Sequence, residues 1–345
     1  MSMIQSLSSS MGLSVGDPVF WMPLSLMLLI TLLLVGLLLI DGIALGAGLL
    51  AIGLPKGQRV SLLRSVLPWQ NANEAWLSLL LGVSMAAFPF AWSDMSENFY
   101  LPMLALIVGA VLRSLSIRVL SGDAGVRWSW IYCLGSLLGA LGFGMLLAEY
   151  VTGQRFHLSL LAFVILMVLS MIAVFVLLAA NWVLIWLEGD QVAKVASLGA
   201  MSARWCAAGM VGLSFMLALA NPAIFYRWTH GDSLMMAVIW WGVMLVGFVW
   251  MDRGLRRTVQ GDRPAARQSL LLLAWLLLLL MLAGIIYSIF PFLILDELTV
   301  WDAAAPIESL SIVTVCAGLI VPVLIVWQGL SGFRMLCASS VSEYS

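Results

Sequence analysis

The sequence predicts an all-α integral membrane protein, a polytopic transmembrane helical bundle of nine helices with its N-terminus outside and its C-terminus in the cytoplasm. Three observations predict it. The 345-residue chain is 63% hydrophobic and only 10% charged, where a soluble domain carries about 25% charged residues. Its apolar runs are long and unbroken, which suits helices rather than the alternating strands of a barrel, and in lipid only those two satisfy every backbone polar group. Its basic residues fall almost wholly in alternate loops.

A helix needs about twenty apolar residues to cross a bilayer. The runs that qualify are Met22–Leu50, Ala75–Trp92, Tyr100–Leu120, Ser129–Ala148, Leu158–Trp186, Ala203–Ala220, Leu234–Met251, Ser269–Phe292 and Ile312–Leu330. The first and fifth exceed the need and are expected to tilt or to extend beyond the hydrocarbon. The first lacks a basic leader and is too long for a cleaved signal, so it reads as a retained span. Pro89, Pro102, Pro291 and Pro322 lie in or near spans and are expected to kink helices. Pro68, followed by Gln70, Asn71 and Asn73, reads as a turn into a capped start for the second helix. No polar domain or low-complexity linker interrupts residues 1–345, so the chain reads as a single integral membrane domain.

Fourteen of the sixteen Lys and Arg follow helices one, three, five and seven or lie in the C-terminal tail, from Lys56 to Arg334; only Arg155 and Arg227 fall on the other side. That other side collects acids instead, among them Asp94, Glu97, Asp296, Glu297, Asp302 and Glu308. The positive-inside rule then sets the orientation, and one helix more or fewer would scramble the alternation. The Arg-rich loop after helix seven reads as topology determination and contact with anionic headgroups rather than as a nucleic-acid patch.

Ionisable groups inside a membrane are costly, about 2.5–3.5 kcal/mol each on insertion scales, so each needs a reason. Asp41 is the clearest, deep in the first span and followed by Gly42, Gly46 and Gly48. Its surroundings allow either a hydrogen-bonded packing residue that locks two helices or a proton-relay site. Glu74, at the mouth of helix two, either complements the helix dipole or opens a proton entry with Asn71, three residues earlier on the same face. The two histidines, His157 and His230, lie outside the spans or at their ends, which makes the chain a poor haem binder by itself. The four cysteines show no C-x-x-C pairing and read as packing residues. No metal-ligand spacing, nucleotide loop or nucleophile motif is present.

Several ordered stretches resemble subunit II of the cytochrome bd quinol oxidases. Asp41-Gly42 with Gly46-x-Gly48 is similar to that family's Asp-Gly-Phe-Asp-x-Gly-x-Gly, and Asn73-x-x-Trp76-Leu77 to the end of its Trp-Asp-Gly-Asn-x-x-Trp-Leu. Ala86-Ala87-Phe88-Pro89, Phe99-Tyr100 and Arg113 continue the series, Gly153-x-x-Phe156-His157 echoes it, and Phe290-Pro291-Phe292, Thr299-x-Trp301-Asp302-Ala303 and Pro322 to Arg334-Met335 close it.

The resemblance implies a nine-helix subunit of the bacterial cytoplasmic (inner) membrane, not catalytic alone. It would support a haem-bearing subunit I in a complex that oxidises quinol and reduces oxygen to water. Haem b and haem d are then expected in that partner and none in this chain. A structural quinone, as in some members, and a small accessory subunit are further implied possibilities; membrane lipid is a partner and nucleic acid is not. The family's second helix-one acid corresponds to Ala44, its acid before Gly-Asn to Asn71, the Trp before that acid to Gln70, and its acid after the helix-three arginine to Arg118. Asp41 and Glu74 are therefore the proton-path candidates, with Asn71 limited to orienting water. Gly42, Asn73, Trp76, Arg113, Trp301 and Asp302 are candidates for packing or subunit contact, with Arg113 read either as snorkelling at its helix end or as stabilising a neighbouring negative group in the complex. Two other readings stay open: a multi-pass secondary transporter, although the spans offer Asp41 and little else to line a substrate site, and a structural or assembly subunit without a proton role.

Overall fold

The computed structural model describes residues 11–120, 125–152, 160–187, 191–260, 264–295 and 297–341, with Gln5, Ser8, Ser9 and Gly189. Within these, the side chains of residues 67–74, 98, 118, 120, 125–126, 186, 220, 232, 264–266 and 327–341 are not described. The readings made for Arg118, Arg155, His157, Asp296, Arg263 and Arg334 therefore lie outside the described residues.

The elements in order are α1 (Pro18–Ile52), α2 (Lys56–Ala87), α3 (Pro89–Asn98), α4 (Tyr100–Leu120), α5 (Gly125–Thr152), α6 (Leu161–Trp186), α7 (Gln191–Ala220), α8 (Pro222–Thr229), α9 (Asp232–Thr258), α10 (Pro264–Ile289), β1 (Phe292–Ile294), β2 (Leu298–Thr299) and α11 (Ile307–Val341). Among the described residues eight helices are long and apolar enough to cross a membrane, or up to nine if the bent pair Ala75–Ala87 and Pro89–Glu97 is one span. The all-helical class and the approximate span number thus match the expectation. The chain groups into two compact units, Met1–Leu38 with Pro68–Glu97 and Pro291–Ser345, and Leu39–Leu67 with Asn98–Phe290.

In the first unit, Leu33 and Leu37 of α1 pack with Leu80 of α2. A second cluster joins Leu26, Val83, Phe88, Ile294, Val300 and Leu310. The second span departs from its expected course in two places. It does not begin at a turn near Pro68: α2 runs as one helix from Lys56 to Ala87, because Lys56–Leu67 is itself a good helical sequence and a helix tolerates one missing N–H when its neighbours continue it. Nor does it run straight to Trp92. The chain bends by 108° between Ala87 and Pro89, where Pro89 starts α3 in the position that needs no N–H. The Ala87 carbonyl left over accepts the N–H of Ala305 at 2.9 Å.

The other prolines behave differently from one another. Pro102 sits in the first turn of α4, Pro291 ahead of β1, and Pro322 stays inside α11. The antiparallel β1–β2 hairpin, with Phe292 opposite Thr299 and a bulge before Ile294, was not foreseen, since strands of three and two residues leave no periodicity to read.

In the second unit, α4 and α5 approach backbone to backbone. A Cβ added at Gly109 would lie 2.7 Å from the Gly135 carbonyl oxygen, and one at Gly135 would lie 2.8 Å from that of Gly109. Small residues at such crossings give transmembrane helices their contact area. Basic residues close the helix ends. Arg59 donates to the carbonyls of Ala51 and Leu54 at 3.0 Å each and lies over the Trp130 ring, while Lys194 donates to Gly53 at 2.8 Å. Arg267 donates to Leu184 and Leu187 at the end of α6. Arg227, off the basic side, caps α10 through Tyr287, Ser288 and Phe290.

The crossing of α4 and α5 predicts an asymmetry. Gly135→Val forces the two backbones apart and is expected to cost about 2–3 kcal/mol. Gly82→Ala, which meets open space, is expected to be neutral or to stabilise by up to about 1 kcal/mol. Denaturant unfolding of the full chain in micelles checks both.

Candidate functional site

Asp41 lies past the midpoint of α1 and is buried, with 7% of its surface exposed; Arg113 of α4 is 5% exposed. The two form a bidentate pair, Arg113 Nη1 donating to Asp41 Oδ1 at 2.7 Å and Nη2 to Oδ2 at 2.8 Å. Arg113 therefore does not snorkel toward the helix end. A carboxylate seventy-two residues away offers both of its oxygens inside the bundle, and a parallel fork of two charge-assisted bonds outcompetes a reach for water.

The glycines after Asp41 make the pair possible. A Cβ on Gly42 would meet Leu178 and Phe175 at 2.9 and 3.3 Å, one on Gly46 would strike the Phe175 carbonyl, and one on Gly48 would strike Ser136. This stretch of α1 is thus seated against α5 and α6, and Tyr132, fully buried on α5, donates its hydroxyl to the Ala44 carbonyl at 3.2 Å. Arg113 Nε and Ser136 Oγ are buried without a hydrogen-bond partner. Chemically the pair is a fixed dipole, because the two parallel bonds hold both groups in one orientation.

The remaining candidates do not gather at this place. Asn71, Asn73 and Glu74 lie on α2, and their side chains are outside the described residues. Trp76 covers Gly36 of α1, its ring 3.0 Å from where a Cβ would stand, and its buried indole N–H has no partner among the described residues. Trp301 donates its indole N–H to the Phe20 carbonyl at 3.0 Å and stacks on the Phe20 ring, fastening the segment after β2 to the start of α1. Asp302 accepts the Thr299 hydroxyl in the same turn. His230 is at the surface, stacked on Tyr226.

Sequence reasoning missed Tyr132, Ser136 and Glu149. Glu149 is 3% exposed near the end of α5, with one carboxylate oxygen buried and unpartnered. It lies one residue beyond the expected fourth span and so falls outside the intramembrane acids read from the sequence. The seven-residue spacing from Gly135 and Gly142, both packed on α4, was the available signal.

The pair predicts a double-mutant cycle. Asp41→Leu or Arg113→Met alone strands a buried charge and is expected to destabilise the chain by about 3–5 kcal/mol. The double variant, which removes both charges, is expected to recover most of that loss. Unfolding of the four proteins in one detergent measures the coupling, and additive losses would contradict it.

The sequence model of the cytochrome bd terminal oxidase subunit II family matches residues 22–333. Similar curated proteins include cytochrome bd ubiquinol oxidase subunit 2 of Bacillus subtilis, 24% identical over 133 residues (37% of this chain and 39% of that protein). Cytochrome bd-I ubiquinol oxidase subunit 2 of Escherichia coli K12 is 25% identical over 138 residues, 38% of this chain and 36% of that protein. These alignments span less than half the length of either relative. The bd oxidase structure from Geobacillus thermodenitrificans has the same fold at a TM-score of 0.69, with 15% identity over 90% of this chain and 98% of that one. With a family match across nearly the whole chain, this protein belongs to the cytochrome bd terminal oxidase subunit II family.

Proposed function

We propose that this chain is the subunit of a bd-type quinol:oxygen oxidoreductase that carries no haem, lying in the bacterial inner membrane with its basic side toward the cytoplasm and paired with a haem-bearing subunit I. Family membership over residues 22–333 is the observation that carries this reading. The described residues do not fit a haem. His230 is held flat on Tyr226 at the surface, and the void between α6, α7, α9 and α10, lined by Leu178, Phe248, Leu277, Cys206 and Met281, has room for little more than a water molecule. A haem needs an axial ligand facing a slot of its own size. Among the described residues no group of three or more His, Cys, Asp and Glu could hold a metal ion. In this reading haem b and haem d belong to the partner, and this chain's share in the chemistry is confined to proton delivery.

In this reading Glu74 is the proton carrier at the cytoplasmic mouth of α2, Asn71 orients water beside it, and Asp41 contributes through its pair with Arg113. A second reading, a subunit that only supports the complex, is favoured by that same pair, since its two bonds fasten α1 to α4.

One experiment separates the two. The tagged chain is purified in mild detergent, its reduced-minus-oxidised spectrum is recorded, and quinol oxidase turnover per haem is measured for wild type, Glu74→Gln and Asp41→Asn. Haem b and d bands with a second large subunit are expected, and a colourless chain removes the oxidase reading. Glu74→Gln is expected to lower turnover per haem at least about tenfold, as for loss of a positioned proton-transfer group. Unchanged turnover in both variants eliminates the proton path and leaves the supporting role.

A further inference from the structure

Arg59, Lys194 and Arg267 bond to helix-end carbonyls and Arg113 to Asp41, but two other basic side chains on the basic side are arranged differently. Arg204 of α7 and Arg256 of α9 clamp one carboxylate from opposite sides: Arg204 Nε donates to Asp252 Oδ1 and Arg256 Nε to Asp252 Oδ2, each at 2.9 Å. Both arginines bond to Asp252 through Nε, and neither makes another hydrogen bond to a described residue, which leaves their Nη donors for a ligand. Their side chains are 57% and 59% exposed, against 21% for Asp252. Arg253 and Arg257 are exposed at the same end of α9, outside the clamp. Immediately toward the apolar body, Trp205 and Trp250 are exposed, Trp250 by 66%, and Val246 and Val249 continue an apolar stripe along α9.

The geometry points to a binding site for one anionic phospholipid, its phosphate on the Nη groups of Arg204 and Arg256 and its acyl chains along the exposed face of α9. A fork of guanidinium N–H groups matches phosphate oxygens. Asp252 fixes the spacing between the two forks, which two free surface arginines would lose to rotamer entropy. Exposed tryptophans beside the charges mark the headgroup level of a membrane. The neighbouring apolar stripe favours a lipid over free phosphate, because only a lipid fills both halves. The inference needs the membrane fold alone and is independent of the oxidase reading.

Asp252 provides the discriminating test. If the attraction were net charge alone, Asp252→Ala would strengthen it by exposing one more positive charge. If Asp252 builds the site, the same substitution weakens it. The full chain, with any subunit that co-purifies, is depleted of lipid in mild detergent, titrated with phosphatidylglycerol or phosphatidylcholine, and read by native mass spectrometry. Wild type is expected to half-saturate with phosphatidylglycerol at about tenfold lower concentration than with phosphatidylcholine, roughly 1.4 kcal/mol. The Arg204→Ala/Arg256→Ala double variant is expected to lose that preference, and Asp252→Ala to weaken phosphatidylglycerol binding several-fold. Arg257→Ala, an exposed cation outside the clamp, is expected to stay within about twofold of wild type, the usual scale of a single screened charge. All these substitutions are on exposed or half-exposed residues, and helical circular dichroism verifies folding. Unchanged binding in the double variant, tighter binding in Asp252→Ala, or displacement of the lipid by millimolar inorganic phosphate each overturns the proposal.

Discussion

A buried ion pair in hydrocarbon tolerates almost no error of position, and the second unit depends on one. Two charges out of water cost several kcal/mol each unless their partners sit at hydrogen-bond distance. The Asp41 and Arg113 side chains reach that distance only if α1 and α4 are held at a fixed height and rotation. The glycines meet this demand from both sides. Gly42, Gly46 and Gly48 remove the side chains that would hold α1 off α5 and α6, while Gly109 and Gly135 let α4 and α5 touch through their backbones. The Tyr132 hydroxyl on the Ala44 carbonyl adds a tie one turn beyond Asp41.

The same constraint, that polar groups find partners inside the protein, governs the helix ends. The last carbonyls of a helix have no donor of their own. Here cations from other helices supply donors: Arg59 and Lys194 to α1, Arg267 to α6 and Arg227 to α10. Each also places positive charge at the negative pole of a helix dipole. Residues that set the topology through their charge thus acquire a second role once the helices fold. Arg227 shows that this role is independent of side, since it caps an end away from the other basic loops.

Composition and hydropathy reach the fold because twenty-residue apolar runs have one structural outcome in lipid. They do not reach the bend at Phe88, since Pro89 can kink, start or end a helix, and only the Ala305 N–H waiting for the Ala87 carbonyl decides among these. Asp41 was legible as a site because an acid inside an apolar run always needs an explanation. Its partner was not. Arg113 lies near the end of an apolar run, where an arginine can turn toward water or inward, and nothing local separates the two. Ser136 was hidden for a related reason: a serine hydroxyl on an apolar helix usually bonds to its own backbone, while Tyr132 on such a helix looks like any packed aromatic until the Ala44 carbonyl is seen beside it. Glu149 lies just past an apolar run, and only the packing of α5 shows it to be buried.

The pair also bears on why this chain departs from its family's motif. Ala44 stands where the resemblance puts a second acid, three residues after Asp41, and it is buried with 1% exposure. With alanine there, the side chains of the pair bring one negative and one positive charge into the bundle, and each offsets the other. An acid there would bury a second negative charge, which would need a donor or cation of its own. Alanine at position 44 thus leaves the pair free to act as a rigid fastening, and it contributes a fixed geometry and field to the groups around it.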